Sequence, residues 1–552
     1  MLFPTFDFLV FMLPVLIAFW ALSHRPKARL VLLLVASYFF YMAGPKTDPP
    51  PTPWYFAGLL VLSTVLDYVC GRQIQAQADD FASTDPARAT RARRIRNAFL
   101  VLSVFGNLGL LGYFKYTDFF VDTAGDIADA LGIPFARPVL HTLLPVGISF
   151  YTFQTLSYTI DVWRGRLTAE RSILKFATFV TFFPQLVAGP IVRANEFLPQ
   201  LHRQPRITSA RMEEGLFRIF KGLVKKVLLG DWIAAQLTDA IFAAPEQYTA
   251  PEIMLGLYAF TLQLYADFSG YSDIAIGVSR LFGYDIPENF DRPHQARNVG
   301  EFWRRWHMTL STWLRDYLFF PLGGSHGTNA RTYFNLWLTM FLVGMWHYKS
   351  GTSWNFVIYA NLQAGAILFN RWNRIRNRDA PLRTQVMQAV GLAVLSGAML
   401  FALSLWGLSL ELSSASLVGM LTIAIFLFIT WLPSTGTPLN NAVHIAITFH
   451  FTVVSRIFFR SESFDVAKRM VAGLLDWGEV TLRTGLVSPW VWLALVFGIG
   501  YHYTPKEWVD GKAFRLFCRV PGPVLGIAMG LLGLALMKLM SSGPRAFIYF
   551  DF

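Results

Sequence analysis

Stretches of mostly apolar residues recur along the whole chain, near 6–23, 30–43, 54–70, 97–114, 141–161, 173–191, 214–232, 252–281, 332–347, 353–370, 386–409, 416–432, 441–459, 488–503 and 523–540. A helix needs about 20 such residues to cross a bilayer. Several of these runs are too short or too interrupted to cross alone. The pattern therefore predicts an all-α, polytopic integral membrane protein with about 11 crossings and some re-entrant or tilted helices. No fixed-period repeat is visible. The first run, Phe6 to Leu22, lacks a basic leader and a small-residue cleavage site, so it reads as a retained first helix.

The polar residues between the runs give an orientation. Arg25, Lys27 and Arg29 follow the first run. Arg72, Arg88, Arg91, Arg93, Arg94 and Arg96 lie between the third and fourth, and the loop from Lys115 to Leu140 is poor in bases. This alternation predicts an outside N-terminus and basic cytoplasmic loops, with the Arg371, Arg374, Arg376 and Arg378 cluster also cytoplasmic. No long soluble segment interrupts the runs, so residues 1–552 read as a single membrane domain.

Composition agrees. Hydrophobic residues make up 54% of the 552 and charged residues 15%, against about 25% charged in a soluble domain. The net charge of +13 follows from the loop bases, and no nucleic-acid-binding pattern accompanies it. Cys70 and Cys518 have no CxxC neighbour, so neither a disulfide framework nor a metal site is expected.

Polar groups that interrupt hydrocarbon are where function is sought. Gln154, Ser157 and Tyr158 break an apolar helix; helix-to-helix bonding and the lining of a cavity both fit them. Asp267 and Asp273 follow a long apolar run, and such carboxylates must pair with an arginine or line a wet cavity. In the segment from Glu301 to Asp316, helical spacing puts Trp303, Trp306, His307, Leu310 and Leu314 on one face, with Arg304, Arg305 and Arg315 largely elsewhere. The run from Asn335 ends in Trp346 and His347. A buried imidazole can stay neutral near pH 7 and take or give a proton. A hydrogen-bonded core histidine is the alternative for either ring.

Taken together these segments resemble the membrane-bound O-acyltransferase (MBOAT) family, in its bacterial alginate O-acetyltransferase membrane-subunit branch. The resemblance rests on Pro145–Gln154, Phe183–Pro190, Asp267–Gly277, Phe302–Gly324, Gly344–His347 and Phe449–Arg460. It implies a core over about residues 100–480, a ring of helices around a central tunnel, and extra helices over about 485–552. It implies transfer of acetyl from cytoplasmic acetyl-CoA, a donor substrate with no permanently bound cofactor, toward an exported polysaccharide. A separate periplasmic acetyltransferase is the expected partner, and the inner membrane the expected location. The family's catalytic histidine maps onto His347 and its second histidine onto His307. Asn335, Trp346, Trp303, Trp306, Gln154 and Asp267 become candidates for the tunnel, and Arg304, Arg305 and Arg315 for CoA phosphate. Tyr348 stands where the family has Gly, and Gln363 near the place of a further His. A lipid or protein acyltransferase of the same superfamily and a polytopic transporter are the rival readings.

Overall fold

The computed structural model describes residues 1–43, 54–136, 144–348, 353–376 and 437–539 apart from 477, 479, 480 and 484, with 381, 384 and 387 as isolated positions. The runs expected at 386–409 and 416–432 lie outside the described residues. Among the described residues there is no strand. The principal helices are α1 (Phe6–Ala21), α2 (Pro26–Met42), α3 (Ala57–Ala76), α4 (Pro86–Leu111), α5 (Ile148–Trp163), α6 (Ser209–Val224), α7 (Ala250–Leu281), α8 (Val299–Arg305), α9 (Met308–Leu314), α10 (Asn329–Trp346), α11 (Ser353–Arg376), α12 (Pro438–Arg460), α13 (Pro489–Tyr503) and α14 (Gly522–Leu539).

Among the described residues, three segments are long and apolar enough to cross a membrane: Trp54–Ala76, Pro86–Ala130 and Pro438–Arg460. The bent pair Glu507–Arg519 and Gly522–Leu536, at 117°, makes a fourth if it is one span. Other helices are shorter or carry buried polar residues. The run expected at 173–191 is one example: it is broken into Ile173–Thr181 and Phe183–Leu186, where Pro184 cannot continue the first ladder.

The described residues fall into two compact units. The first is drawn from Met1–Val227, Asp267–Asn289 and Lys506 onward, the second from Leu228–Ala266 and Phe290–Pro505.

In the first unit α3, α4 and α5 meet around a buried carboxylate. Ser103 and Thr159 donate to Asp67 Oδ1 at 2.5 and 2.6 Å, and Asn107 donates to Oδ2 at 2.7 Å. Ser63 in turn donates to Asn107 at 2.8 Å. Neutral donors on α4 and α5 thus satisfy a group on α3 that would be expensive to bury alone. Gly147, at φ 77, starts α5 so close to the chain that a Cβ would lie 2.6 Å from the Leu186 carbonyl; a glycine is required there.

In the second unit α10 and α11 are in close contact. A Cβ on Gly344 would lie 2.3 Å from that of Ala360, so the two backbones approach as only a small residue allows. This contact fixes the last turn of α10, which carries the residues of the site.

Candidate active site

The site is built at the end of α10, where the apolar run stops at Trp346 and His347 caps the helix. The His347 amide donates to Gly344 at 3.0 Å. Its ring folds back one turn, with Nδ1 2.7 Å from the Val343 carbonyl. A carbonyl only accepts, so Nδ1 carries the proton. In the neutral ring the lone pair is then on Nε2. The residue is 1% exposed. Trp346 meets the imidazole edge-on at 4.9 Å between ring centres, and Phe459 of α12 does so at 5.6 Å.

His307 joins this group through the same indole, its ring centre 5.7 Å from that of Trp346. The expectation of one continuous helical face across Trp303 to Leu314 is corrected here. The helix breaks after Arg305: Trp306 is extended, and His307 has φ 43 and ψ 55, a left-handed conformation that costs a non-glycine residue about 1–3 kcal/mol. Trp303, Trp306, His307, Leu310 and Leu314 are nevertheless all buried, because the break turns the two short helices while keeping both apolar faces inward.

The break sits in a closed loop. The Asp291 amide donates to the Arg305 carbonyl at 2.9 Å, and Arg305 pairs with Glu301 at 2.8 Å. Burial would raise the Glu301 carboxyl, but the Arg297 amide and the Arg305 guanidinium outweigh it and hold it below its usual range. Arg292 and His307 are the two non-glycine residues with positive φ among the described residues, and they bracket this loop.

The end of α13 grips the same loop. Gln295 donates to the His502 carbonyl at 2.8 Å, the His294 amide to His502 Nε2 at 3.2 Å, and Tyr503 to the His294 carbonyl at 3.1 Å. Arg292 donates to the Thr504 carbonyl. Arg456 of α12 reaches His294 Nε2 at 3.4 Å, with its guanidinium 5.4 Å from the Trp306 ring centre. Sequence reasoning missed this cluster. His294 and His502 are 208 residues apart, and no local spacing joins them.

The remaining candidates separate. Trp303 donates to Gln363 at 3.2 Å, and Gln363 donates to Ser455 at 3.0 Å, which ties α8 to α11 and α12. Asn335, twelve residues before His347, donates to the Leu322 and Gly324 carbonyls at 3.2 and 3.1 Å. At about 1.5 Å of rise per residue it stands some three turns from the imidazoles, anchoring the preceding loop. Arg305 is committed to Glu301 and Arg315 to Asp316 at 2.8 Å, while Arg304 is exposed.

Gln154 and Asp267 belong to the first unit. Gln154 is fully buried, and neither amide atom has a hydrogen-bond partner among the described residues. Asp267 pairs with Lys226 at 2.6 Å, a lysine where an arginine or a wet cavity was expected. Asp273 is held by Lys225 at 2.7 Å, Arg218 at 2.9 Å and Lys221 at 3.4 Å. The spacing of Arg218, Lys221 and Lys225 on one helical face was the available signal.

An imidazole with a fixed tautomer, buried among aromatic rings beside a second histidine, is equipped for proton transfer. Residues 137–405 match the profile of MBOAT, the membrane-bound O-acyltransferase family. The chain belongs to that family, and it is an acyltransferase. It is 40% identical to the probable alginate O-acetylase AlgI of Azotobacter vinelandii, over 73% of this chain and 75% of that protein. It is 33% identical to the protein of the same name from Pseudomonas putida over 100% of both chains. The peptidoglycan O-acetyltransferase of Helicobacter pylori is 33% identical over 64% of this chain and 66% of its own length.

Proposed function

We propose that this protein is an inner-membrane O-acetyltransferase that moves acetyl from cytoplasmic acetyl-CoA across the bilayer for the O-acetylation of an exported polysaccharide. The relatives named for alginate and for peptidoglycan O-acetylation support this reading. On it the chain makes about 11 crossings, and the loop bases face the cytoplasm.

His347 is the general base. Nε2 takes the proton of the acceptor hydroxyl as its oxygen attacks the thioester carbonyl. The C–S bond then breaks, and the thiolate of CoA leaves and recovers the proton from Nε2, so the ring ends neutral. His307 bonds the thioester oxygen or positions the acceptor. Trp346, between the two rings, holds their spacing. Exclusion of water by the aromatic walls strengthens these interactions. Arg304, the one of the three arginines not given to a carboxylate among the described residues, is the best placed for CoA phosphate. A periplasmic acetyltransferase completes the transfer to the polymer.

The observation that carries this reading is the bond from His347 Nδ1 to Val343, which leaves Nε2 as the basic nitrogen. The test is acetyl transfer from labelled acetyl-CoA by the purified chain in proteoliposomes. Wild-type protein transfers label and His347→Ala does not. A pure transporter would consume no thioester in either form.

A further inference from the structure

Three side chains of the first unit, Glu170, Lys175 and His202, stand together and have no part in the proposed reaction. Glu170 is fixed from two sides: its amide donates to the Tyr158 hydroxyl at 3.1 Å, and its Oε1 accepts the Ser172 amide at 2.9 Å. Its Oε2 lies 2.6 Å from Nε2 of His202. Nδ1 of the same ring lies 2.7 Å from Nζ of Lys175. A carboxylate only accepts, so Nε2 carries a proton; an ammonium only donates, so Nδ1 accepts from Lys175. Carboxylate, imidazole and amine thus form a line, the order in which an oriented base serves a nucleophile.

The surroundings favour moving a proton along that line. Lys175 lies in the first turn of the helix Ile173–Thr181, where its amide donates to the Ser172 cap at 3.3 Å. The helix dipole opposes a cation at that end. His202 stands at the C-terminal cap of the helix Ala194–Leu201, where the dipole favours one. An imidazolium there also faces a carboxylate whose side chain is 6% exposed, while its own side chain is 50% exposed. The charge is paired on one side and open to water on the other. Among the described residues the side-chain partner of Lys175 is this histidine and not a carboxylate. Arg171 and Arg203, next in sequence to Glu170 and His202, are exposed and offer positive charge to a phosphate-bearing reagent.

We propose that Lys175 is a site of self-acetylation, taking an acetyl group from acetyl-CoA with His202 as the base and Glu170 as the group that orients it. The identity of the donor rests on the proposed function; the activated amine does not. Nδ1 takes one proton from the ammonium. The freed nitrogen turns on its four-carbon stem and attacks the thioester carbonyl carbon. A C–N bond forms, the C–S bond breaks, and the thiolate of CoA leaves with a second proton from that nitrogen. The third hydrogen stays on the new amide, and His202 gives its proton to water. The product has lost the positive charge of Lys175.

The experiment incubates purified full-length protein in neutral detergent with deuterated acetyl-CoA and follows acetylation of each lysine by peptide mass spectrometry. Lys27, which is exposed, is the reference. In wild-type protein Lys175 is acetylated faster than Lys27, by about 10²-fold if His202 contributes what a positioned base does. His202→Gln keeps a polar side chain without a basic nitrogen, and it lowers the Lys175 rate toward that of Lys27; Glu170→Gln lowers it too. Neither changes the rate at Lys27. Acetyl transfer by the same preparation is measured in parallel, and Lys175→Arg leaves it unchanged. Loss of transfer with Lys175 still labelled counts against the proposed function alone. The self-acetylation proposal is overturned if Lys175 reacts no faster than Lys27 in wild-type protein, a comparison that needs no variant, or if His202→Gln keeps the wild-type rate at Lys175.

Discussion

The ring of His347 turns its Nδ1 to the main-chain oxygen of Val343, 2.7 Å away and one turn back along α10. That contact selects the nitrogen that can act, and it is made by the backbone, so substitutions of neighbouring side chains leave it in place. On the proposed mechanism, removing the imidazole removes the base. His347→Ala is expected to lower acetyl transfer by about 10²–10⁴-fold while the protein inserts and purifies normally. His347→Gln keeps a polar group but no basic nitrogen, and should be equally slow. Rates near wild type for either variant would remove His347 from the role of base.

Gly344 sets the position of that ring through the contact of α10 with α11. A methyl group there would lie 2.3 Å from the Ala360 Cβ and 2.5 Å from its Cα. Gly344→Ala is therefore expected to cost about 1–3 kcal/mol as an overpacked contact and to lower activity by displacing the end of the helix. Ala360→Gly in the same chain removes the nearer clash and leaves the one with Cα, so it should restore only part of the loss. Thermal unfolding midpoints of the two variants in detergent decide this.

Lys226 and Asp267 form a buried pair, with side chains 1% and 5% exposed. Breaking it from one side leaves a charge in the interior, so Lys226→Met alone should destabilise by about 3–5 kcal/mol. Lys226→Met with Asp267→Leu removes both charges and should recover most of that loss. If the double variant is no more stable than the single one, the pair is not an isolated charge couple.

These cases show how far the sequence could be read. Apolar runs placed the long helices such as α3 and α12, because hydrocarbon imposes its length on a span; the short α8 and α9 lie outside every run. The inward burial of Trp303, Trp306, His307 and Leu310 was legible from their spacing. The break between Arg305 and Met308 was not, since no Gly or Pro marks it; distant bonds from Asp291 and the end of α13 surround it. Asp267 was expected to need a partner, but Lys226 is 41 positions away, and proximity of that kind is set by packing. Asn335 is a tunnel candidate through the family resemblance, and it stands about three turns from His347 along α10, bonded to the Leu322 and Gly324 carbonyls.

Glu301 gives a pH dependence. Its carboxyl is held below the usual value of 4.5 by the Arg297 amide and Arg305, which outweigh burial. A depressed carboxyl stabilises the fold fully above its unfolded value and loses that contribution as pH falls through the folded one. Unfolding midpoints should thus drop between about pH 4.5 and more acid values. Glu301→Gln should be less stable than wild type at neutral pH and show a smaller acid decline. An identical acid decline in both proteins would assign it to other carboxylates.

On the proposed mechanism, His502 is a positioning residue for His307, acting through the segment that carries His294 and Gln295. Its Nε2 accepts the His294 amide at 3.2 Å and its carbonyl accepts Gln295 at 2.8 Å, which steadies the loop that ends in the left-handed His307. Losing the ring leaves the carbonyl contact intact, so the fold should survive His502→Ala. The imidazole of His307 should then wander from its productive place. The expected result is a fall in kcat of about tenfold or more, consistent with the cost of small misplacements, with KM for acetyl-CoA little changed. His502→Gln offers an oxygen near the position of Nε2 and should recover much of kcat. A rise in KM with kcat intact would instead tie His502 to donor binding, and equal losses in His502→Ala and His502→Gln would show that the His294 amide contact is not what matters.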